Sequence, residues 1–458
     1  MVCSCCQASI RSLPSRALPG CHRHRRRTNS QVEATEGTGG HRPLVWVPFA
    51  EGVGIRDTIF RSTAFRASVI IAAGLLLAIA PVVAMAAHSH RPRRGMRPCD
   101  IFAKAGTPCV AAYSSTRALF AKYDGPLYQV QRASDGRTLN IRLLARGGYA
   151  NSAAQNAFCA DTSCVVDKIY DQTADHNTLV PQAPTTEIYS NTNYSHNPVS
   201  ANALPIFAGG HAVYGLKFDS GSPTGLPCVV AALCIDSHGE AYNNGQRRAK
   251  GVPTGAQPQG IYAVFGGTYS GSDCCFDFGN SEVHGTDDGN GTMDALNFSR
   301  DCWDQCGAAD GPWVQADLEN GMFMTGDTTP IPFDPAAFIG GSFESGDGFC
   351  CAASAKNLAM RLPFVTGILN NPGSKTFLIA GANATSGGLT TYYHGPVPPG
   401  KGYSPMRQEG AIILGSGGDQ GTTDGEFFEG VITRGAPSAA ADTAVQANIV
   451  SVRYRGLP

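Results

Sequence analysis

Three short stretches of this chain hold side chains whose type and setting suit them to chemistry. Glu319 lies in Trp313-Val-Gln-Ala-Asp-Leu-Glu-Asn320, a pattern that reads as a strand running into a turn. Strand alternation puts Asp317 and Glu319 on one face, two residues apart. Asp419 closes Gly410-Ala-Ile-Ile-Leu-Gly-Ser-Gly-Gly-Asp419, an apolar strand that exits through glycines, where backbone can approach a ligand closely. Strand-end acids also cap turns or face water, so pattern alone leaves both readings open. The third stretch, Gly271-Ser-Asp-Cys-Cys-Phe-Asp-Phe-Gly-Asn280, holds two adjacent cysteines. Neighbouring Cα atoms are about 3.8 Å apart across a trans peptide, whereas an ordinary disulfide spans roughly 4.4–6.8 Å. Joining Cys274 to Cys275 therefore closes a strained ring, a stiff apolar plate suited to a pocket floor. The alternative is that each cysteine pairs elsewhere.

The elements that would position these groups are β-strands. The 458 residues include 55 Gly and 29 Pro with 16% charged residues, a composition that suits a β-rich, loop-rich exported protein. Runs at 261–265, 293–298, 313–318, 376–380, 411–414 and 427–433 alternate with Gly/Asn/Asp/Pro turns and predict strands of a sandwich rather than a βαβ fold. Residues 116–123 and 443–452 are the helix candidates. With no internal repeat or long low-complexity linker beyond Cys99, residues 99–458 read as one large domain and 87–98 as a short tail.

Residues 1–86 carry ten Arg, no Lys and four acids, leaving 25 basic and 32 acidic residues in the remainder. A mildly acidic main domain gives no footprint for nucleic acid. Arg61 and Arg66 precede an apolar run at 67–83 followed by Ala84-Met-Ala86, which predicts a signal peptide over 61–86, cleaved before Ala87, and a secreted product. A retained membrane anchor is the competing reading, with a run marginally short for a span. Residues 1–60 are Arg-, Ser- and Gly-rich, and read as disordered or as a start assigned too early.

Twelve of the sixteen cysteines lie beyond the signal, and an even number in an exported chain reads as disulfides. Local spacing favours Cys99 with Cys109, Cys159 with Cys164, Cys228 with Cys234 and Cys302 with Cys306, leaving the vicinal pairs Cys274-Cys275 and Cys350-Cys351. Zinc is the rival, but among these twelve there is no CxxC pair, and no histidines cluster beside them. No metal or cofactor is expected.

The segments CCFDFGN, DGPWVQADLEN and GYSPMRQEGAIILGSGGD resemble the catalytic domain of the α-L-arabinofuranosidase B family, glycoside hydrolase family 54. PCDIFAKAGTPCVAAYSSTRALF, IYDQTADHN and FFEGVITRGAP agree in the same order, so the resemblance runs from about Cys99 to Tyr454. It implies an all-β fold, a two-sheet concanavalin/laminin-G-like β-sandwich (jelly roll). It also implies retaining, exo-acting release of terminal α-L-arabinofuranose from arabinan or arabinoxylan side chains. By the same resemblance Glu319 is the nucleophile and Asp419 the general acid/base. Cys274-Cys275 is a disulfide beneath the sugar, and Asp317, Asn320 and the Gly418 backbone hydrogen-bond it. The family's stacking tryptophan falls on Trp303, one residue out of step. Cys99–Cys109 and Cys159–Cys164 match expected disulfides. The partner is an arabinose-containing plant cell-wall polysaccharide or oligosaccharide, met by a monomer with no membrane contact after signal cleavage.

The resemblance has departures. The family commonly carries a C-terminal arabinose-binding β-trefoil, and the sequence ends where that would begin. Residues from about 328 to 355, with Cys350-Cys351, read as an insertion, and Cys302 and Cys306 as additions beside the pocket. A carbohydrate-binding sandwich without turnover is the alternative function, and survival of both carboxyls argues against it. A thiol-redox role for Cys274-Cys275 ranks last, because no basic residue lies near the pair.

Retaining hydrolysis needs two carboxyls roughly 5–5.5 Å apart. Glu319 must be ionised and Asp419 protonated, then Asp419 must act as base toward water. Desolvation and the Glu319 charge both raise an aspartate above its usual pKa of about 3.9. Other polar residues receive plainer readings. Glu282 is expected to be a solvated loop acid, Asp424 and Glu426 turn acids, and His284 and His394 loop residues at the surface or pocket rim. Asn193, Asn290, Asn297 and Asn383 head glycosylation sequons.

Intact-mass analysis and peptide mapping should find Cys274 joined to Cys275. Reducing the pair should weaken sugar binding more than stability, because so short a loop scarcely restrains the unfolded chain. Free thiols at both positions would remove the plate from the pocket.

Overall fold

Two antiparallel sheets, each hydrophobic toward the other, make the frame. A computed structural model describes residues 95–183, 185–186, 193–219, 238–271, 276–283, 291–300, 311–318, 322–326, 328–332, 347–351, 356–373, 375–398, 406–416 and 424–457. All of these belong to one compact unit. The larger sheet runs, edge to edge, Thr390–Pro396, Thr376–Asn383, Val365–Gly373, Gln259–Phe265, Gly425–Arg434, His211–Phe218, Leu204–Ala208 and Arg455–Gly456. Cys109–Ser114 also pairs with the Gly425–Arg434 strand, at residues beyond those taken by His211–Phe218. The second sheet runs Met322–Phe323, Trp313–Asp317, Asp294–Ser299, Phe276–Ser281, Ala411–Ser416, Ala241–Asn243 and Val180–Pro181.

The six runs predicted as strands are strands, extended by a few residues at one or both ends in five of them. The two-sheet sandwich expected from the turn spacing is therefore the fold. Between the sheets lies an aromatic core. Phe265 stacks on Phe298 with ring centroids 5.2 Å apart, and Phe278 meets Phe427 at 5.3 Å and Phe218 meets Phe276 at 5.2 Å. Each ring is buried, and fully burying such a side chain contributes about 1.5–3 kcal/mol.

Helix is scarce. Ala439–Val452 confirms the C-terminal helix candidate, starting with Ser438 Oγ accepting from the Ala441 amide and stopping at Arg453, a left-handed residue. Two short helices, Pro98–Lys104 and Ser152–Phe158, were not legible in the sequence. Residues 116–123 do not form the expected helix. Their amides go elsewhere: Thr116 and Arg117 to Ser114 Oγ, Ala118 to the Gly148 carbonyl, Leu119 to Gln172 and Ala121 to Asp100. With the first amides turned onto the Ser114 side chain and those of Ala118, Leu119 and Ala121 claimed by distant acceptors, the segment does not close i→i−4 bonds.

Arg117 itself is fully buried and forks onto Glu429, Nε to Oε2 at 2.5 Å and Nη2 to Oε1 at 2.6 Å. Tyr262 and Tyr454 hydroxyls also donate to the Glu429 carboxylate, at 3.2 and 2.7 Å, and Arg117 Nη1 donates to Asn448 Oδ1 at 2.7 Å. The Asp171 carboxylate is a second such knot. It accepts from the amides of Ala112, Thr173 and Asn177 and from the Thr173 hydroxyl. The IYDQTADHN segment is thereby a structural loop.

Cys99–Cys109 and Cys159–Cys164 are disulfides, as expected. Pairings of Cys228, Cys234, Cys302, Cys306, Cys274 and Cys275 lie outside the described residues. Cys350 and Cys351 sit on a hairpin strand, Asp347–Cys351, paired with Thr328–Pro332, so the expected insertion contains a β-hairpin. The predicted signal and the residues before it also lie outside. Among the described residues no helix is long and apolar enough to cross a membrane.

Glu429→Gln should destabilise the fold by about 3–5 kcal/mol, because it strands a buried guanidinium. Chemical denaturation would measure it. A loss under about 1 kcal/mol would show the network to be dispensable.

Candidate active-site face of the second sheet

Sheet pairing gathers the three chemistry-bearing segments onto four adjacent strands, in the order Trp313–Asp317, Asp294–Ser299, Phe276–Ser281, Ala411–Ser416. Alternation divides their side chains. Phe276, Phe278, Leu296, Phe298, Val314 and Leu414 belong to the core cluster between the sheets. The opposite face carries Asp277, Asn297, Ser299, Gln315 and Asp317, by strand alternation. This outer face is polar yet withdrawn from water, with all five residues 0–4% exposed. Buried polar rows of this kind cost stability unless their partners are supplied.

Register fixes the row. Asp277 pairs with Asn297 and Asn297 with Gln315. Asn297 Nδ2 donates to Asp277 Oδ1 at 2.8 Å, while its Oδ1 accepts from Ser299 Oγ at 2.9 Å and from Gln315 Nε2 at 3.3 Å. Asp317 stands beside Ala295, whose other partner is Gly279. A Cβ at Gly279 would meet the Ala295 Cα at 2.6 Å, so glycine in FDFGN permits this close strand contact. Burial holds the Asp277 carboxyl well above the usual range, and the nearby Asp317 charge pushes the same way, with the Asn297 amide pulling back.

At the end of the same strands Asp294 faces a set of amides. Gln259 and Gln408 both donate to its Oδ2, and Asn280 donates to Gln259 Oε1 and Gln408 Oε1 at 3.1 Å each. Burial raises Asp294 to about 7, with Asn371 and Gln259 opposing and the Asp317 charge adding to the rise.

Of the predicted site residues, Asp317 is placed as expected, the last residue of its strand and buried. Cys274, Cys275, Trp303, Gly418, Glu319, Asn320 and Asp419 lie outside the described residues. The strands leading to them are described. Phe276 and Ser416 are paired neighbours, and Asp317 is level with Gly279 and Ile413, three residue rows away. At about 3.3 Å per residue and about 4.8 Å per strand, the Ser416 and Asp317 ends are offset by roughly 10 Å along the strands and roughly 14 Å across the sheet, on strands that run in opposite directions.

Asp277 is the residue that sequence reading quoted without singling out. Its signal was present, since an acid between two phenylalanines in a strand must face away from their core. Three plainer readings are corrected. Glu282 is 3% exposed rather than solvated, because it follows directly on a strand whose flanks are covered. Glu426 lies within the Gly425–Arg434 strand rather than in a turn, and burial raises it to about 7. His394 is on the edge strand Thr390–Pro396 rather than in a loop, with its side chain exposed. Asn297, although heading a sequon, is fully buried and hydrogen-bonded, so a glycan there is incompatible with the fold.

A two-sheet antiparallel sandwich that carries buried carboxyls on the outer face of one sheet defines the class of this protein. The chain belongs to the family whose model is described as alpha-L-arabinofuranosidase B, catalytic, which matches residues 98–226, 232–338 and 332–455. A probable alpha-L-arabinofuranosidase B of Aspergillus terreus is 42% identical over 362 residues, covering 79% of this chain and 63% of that protein. An alpha-L-arabinofuranosidase of Hypocrea jecorina is 40% identical over the same shares of both chains. A solved GH54 arabinofuranosidase soaked with a cyclic sulfate inhibitor superposes with a TM-score of 0.66 at 37% identity, over 79% of this chain and 66% of that one. An arabinofuranosidase complexed with arabinofuranosyl-alpha-1,2-xylobiose matches with a TM-score of 0.65. The chain thus spans a little under two thirds of the length of these relatives.

Asp294 links folding to pH. Its folded pKa of about 7 exceeds the unfolded value of about 3.9, so the folded state binds the extra proton between these limits. Asp442, raised to about 7 by burial, acts in the same direction. Stability should therefore fall as pH rises from about 4 to 7. Asp294→Asn should flatten that fall by roughly 1 kcal/mol per pH unit. Denaturation curves at three pH values would show it, and an unchanged slope would refute it.

Proposed function

We propose that the protein is an exported, monomeric, retaining α-L-arabinofuranosidase that removes terminal arabinofuranose from arabinan or arabinoxylan side chains. Family membership carries this reading, together with the convergence of CCFDFGN, DGPWVQADLEN and the strand leading to GGD on one sheet. The complex of a related enzyme with arabinofuranosyl-xylobiose supports an arabinose-bearing oligosaccharide as substrate.

In this mechanism Glu319 attacks the anomeric carbon while Asp419 donates a proton to the leaving oxygen. The glycosyl–enzyme ester is then opened by water, from which Asp419 takes a proton. Asp317, Asn320 and the Gly418 backbone hold the sugar hydroxyls, Trp303 stacks on the ring, and Cys274-Cys275 forms its floor. Glycosylation of Glu319 removes a neighbouring charge, which makes Asp419 easier to ionise for its second role.

Hydrolysis of an aryl α-L-arabinofuranoside followed by NMR should show the α-anomer of arabinose as the first product. No hydrolysis, or first release of the β-anomer, would refute the assignment. Glu319→Gln should abolish turnover while leaving folding intact. Asp419→Ala should slow natural arabinosides by about 10²–10⁴-fold, and aryl substrates with good leaving groups far less. Added azide should partly rescue this variant, giving the arabinosyl azide with retained configuration. Equal losses on both substrate types, without azide product, would make Asp419 a structural acid.

A further inference from the structure

Asp277 is the charged group of the outer face that the mechanism leaves unused. It is completely buried, on a strand that shares no edge with the Trp313–Asp317 strand. Its Oδ1 is occupied by the Asn297 amide. Among the described residues its Oδ2 receives no donor from an N–H or O–H group. The carboxyl that acts on it is that of Asp317, which stands diagonally across the sheet, two strands away and two rows along, with Asn297 level with Asp277 and Ala295 level with Asp317 on the strand between. Two carboxylates cannot hydrogen-bond each other, and a buried unpaired carboxylate oxygen is costly. One proton placed between them satisfies both.

We propose that Asp277 is a positioning residue that shares a proton with Asp317 and thereby orients Asp317 toward the hydroxyls of the bound sugar. This rests on the arabinofuranosidase reading, in which Asp317 contacts the sugar. Fixed by one shared proton, Asp317 presents its remaining lone pairs to two adjacent hydroxyls. Loss of that proton leaves two negative charges face to face, and Asp317 turns away. The surroundings favour retention. Among the described residues the groups facing Asp277 are Asp317 from one strand, the uncharged Asn297 from the next, Glu282 just beyond its own strand, and the side-chain-free Gly415 from the other neighbour. The titratable ones among these are acids, and Asp294 also acts on Asp317.

The test is Asp277→Asn. An asparagine keeps the acceptor for Asn297 and supplies a permanent donor to Asp317, mimicking the protonated state without its titration. With an aryl α-L-arabinofuranoside, wild-type KM should rise roughly tenfold or more on the alkaline side, about the worth of one charge-assisted hydrogen bond. In Asp277→Asn that rise should vanish, with KM and kcat near wild-type values at acidic pH. Asp277→Ala should raise KM at every pH with a smaller effect on kcat. An Asp277→Asn profile that still follows the wild type would overturn the proposal. Infrared difference spectra of the wild-type protein, compared with Asp277→Ala, test the pair without turnover. A protonated-carboxyl band absent from the wild type would overturn it, even where Asp277→Asn fails to fold. If the wild type hydrolyses no arabinofuranoside yet shows the band, the arabinofuranosidase reading fails and the shared proton stands.

Discussion

The buried fork of Arg117 onto Glu429 is the constraint around which the larger sheet is assembled. Removing both charges from water is expensive, and mutual attraction repays it only when the remaining donors and acceptors are met. Here they are: two arginine nitrogens and two tyrosine hydroxyls converge on one carboxylate, and Asn448 takes a third arginine nitrogen. The participants come from the loop after Cys109–Ser114, the strands Gln259–Phe265 and Gly425–Arg434, the helix Ala439–Val452 and the residues just after it. Segments more than 300 residues apart in the chain are thus held by one charge pair. The Gly425–Arg434 strand is also central to its sheet, so its position sets that of the strands packed against the second sheet.

That arrangement leaves the second sheet with two unlike faces. Toward the larger sheet it offers phenylalanines, leucines and valines, which interlock with Phe218, Phe265 and Phe427. Away from it stands the row of carboxyls and amides. Rigid strands carry the row, and preorganised polar groups on rigid elements need little rearrangement to hold a ligand. Burial raises the affinity of Asp277 for protons, and the nearby Asp317 charge adds to it.

Much of this was legible in the sequence. Short β-rich runs set between Gly/Asn/Asp/Pro turns predicted six strands and the sandwich, because turn residues punctuate strands locally. Local spacing predicted Cys99–Cys109 and Cys159–Cys164, since short loops bring their cysteines together without help from the rest of the fold. The motif resemblance pointed to the family, which the match over residues 98–455 shows. What sequence could not give was decided by distant partners. Residues 116–123 carry helix-compatible side chains, yet their amides bond to Ser114, Gly148, Gln172 and Asp100. Glu282 and Glu426 look like surface acids until packing covers them.

Asp277 shows the division most clearly. Its flanking phenylalanines determine which way it faces, a local property of any strand. That it meets Asp317, forty residues later in the chain, depends on one intervening strand, the register that sets the two acids two rows apart with the small Ala295 level with Asp317, and a glycine that lets the backbones close. Alternation is encoded residue by residue and can be read from the sequence. Register between strands is a sum of many weak cross-strand contacts, and only the folded sheet evaluates it.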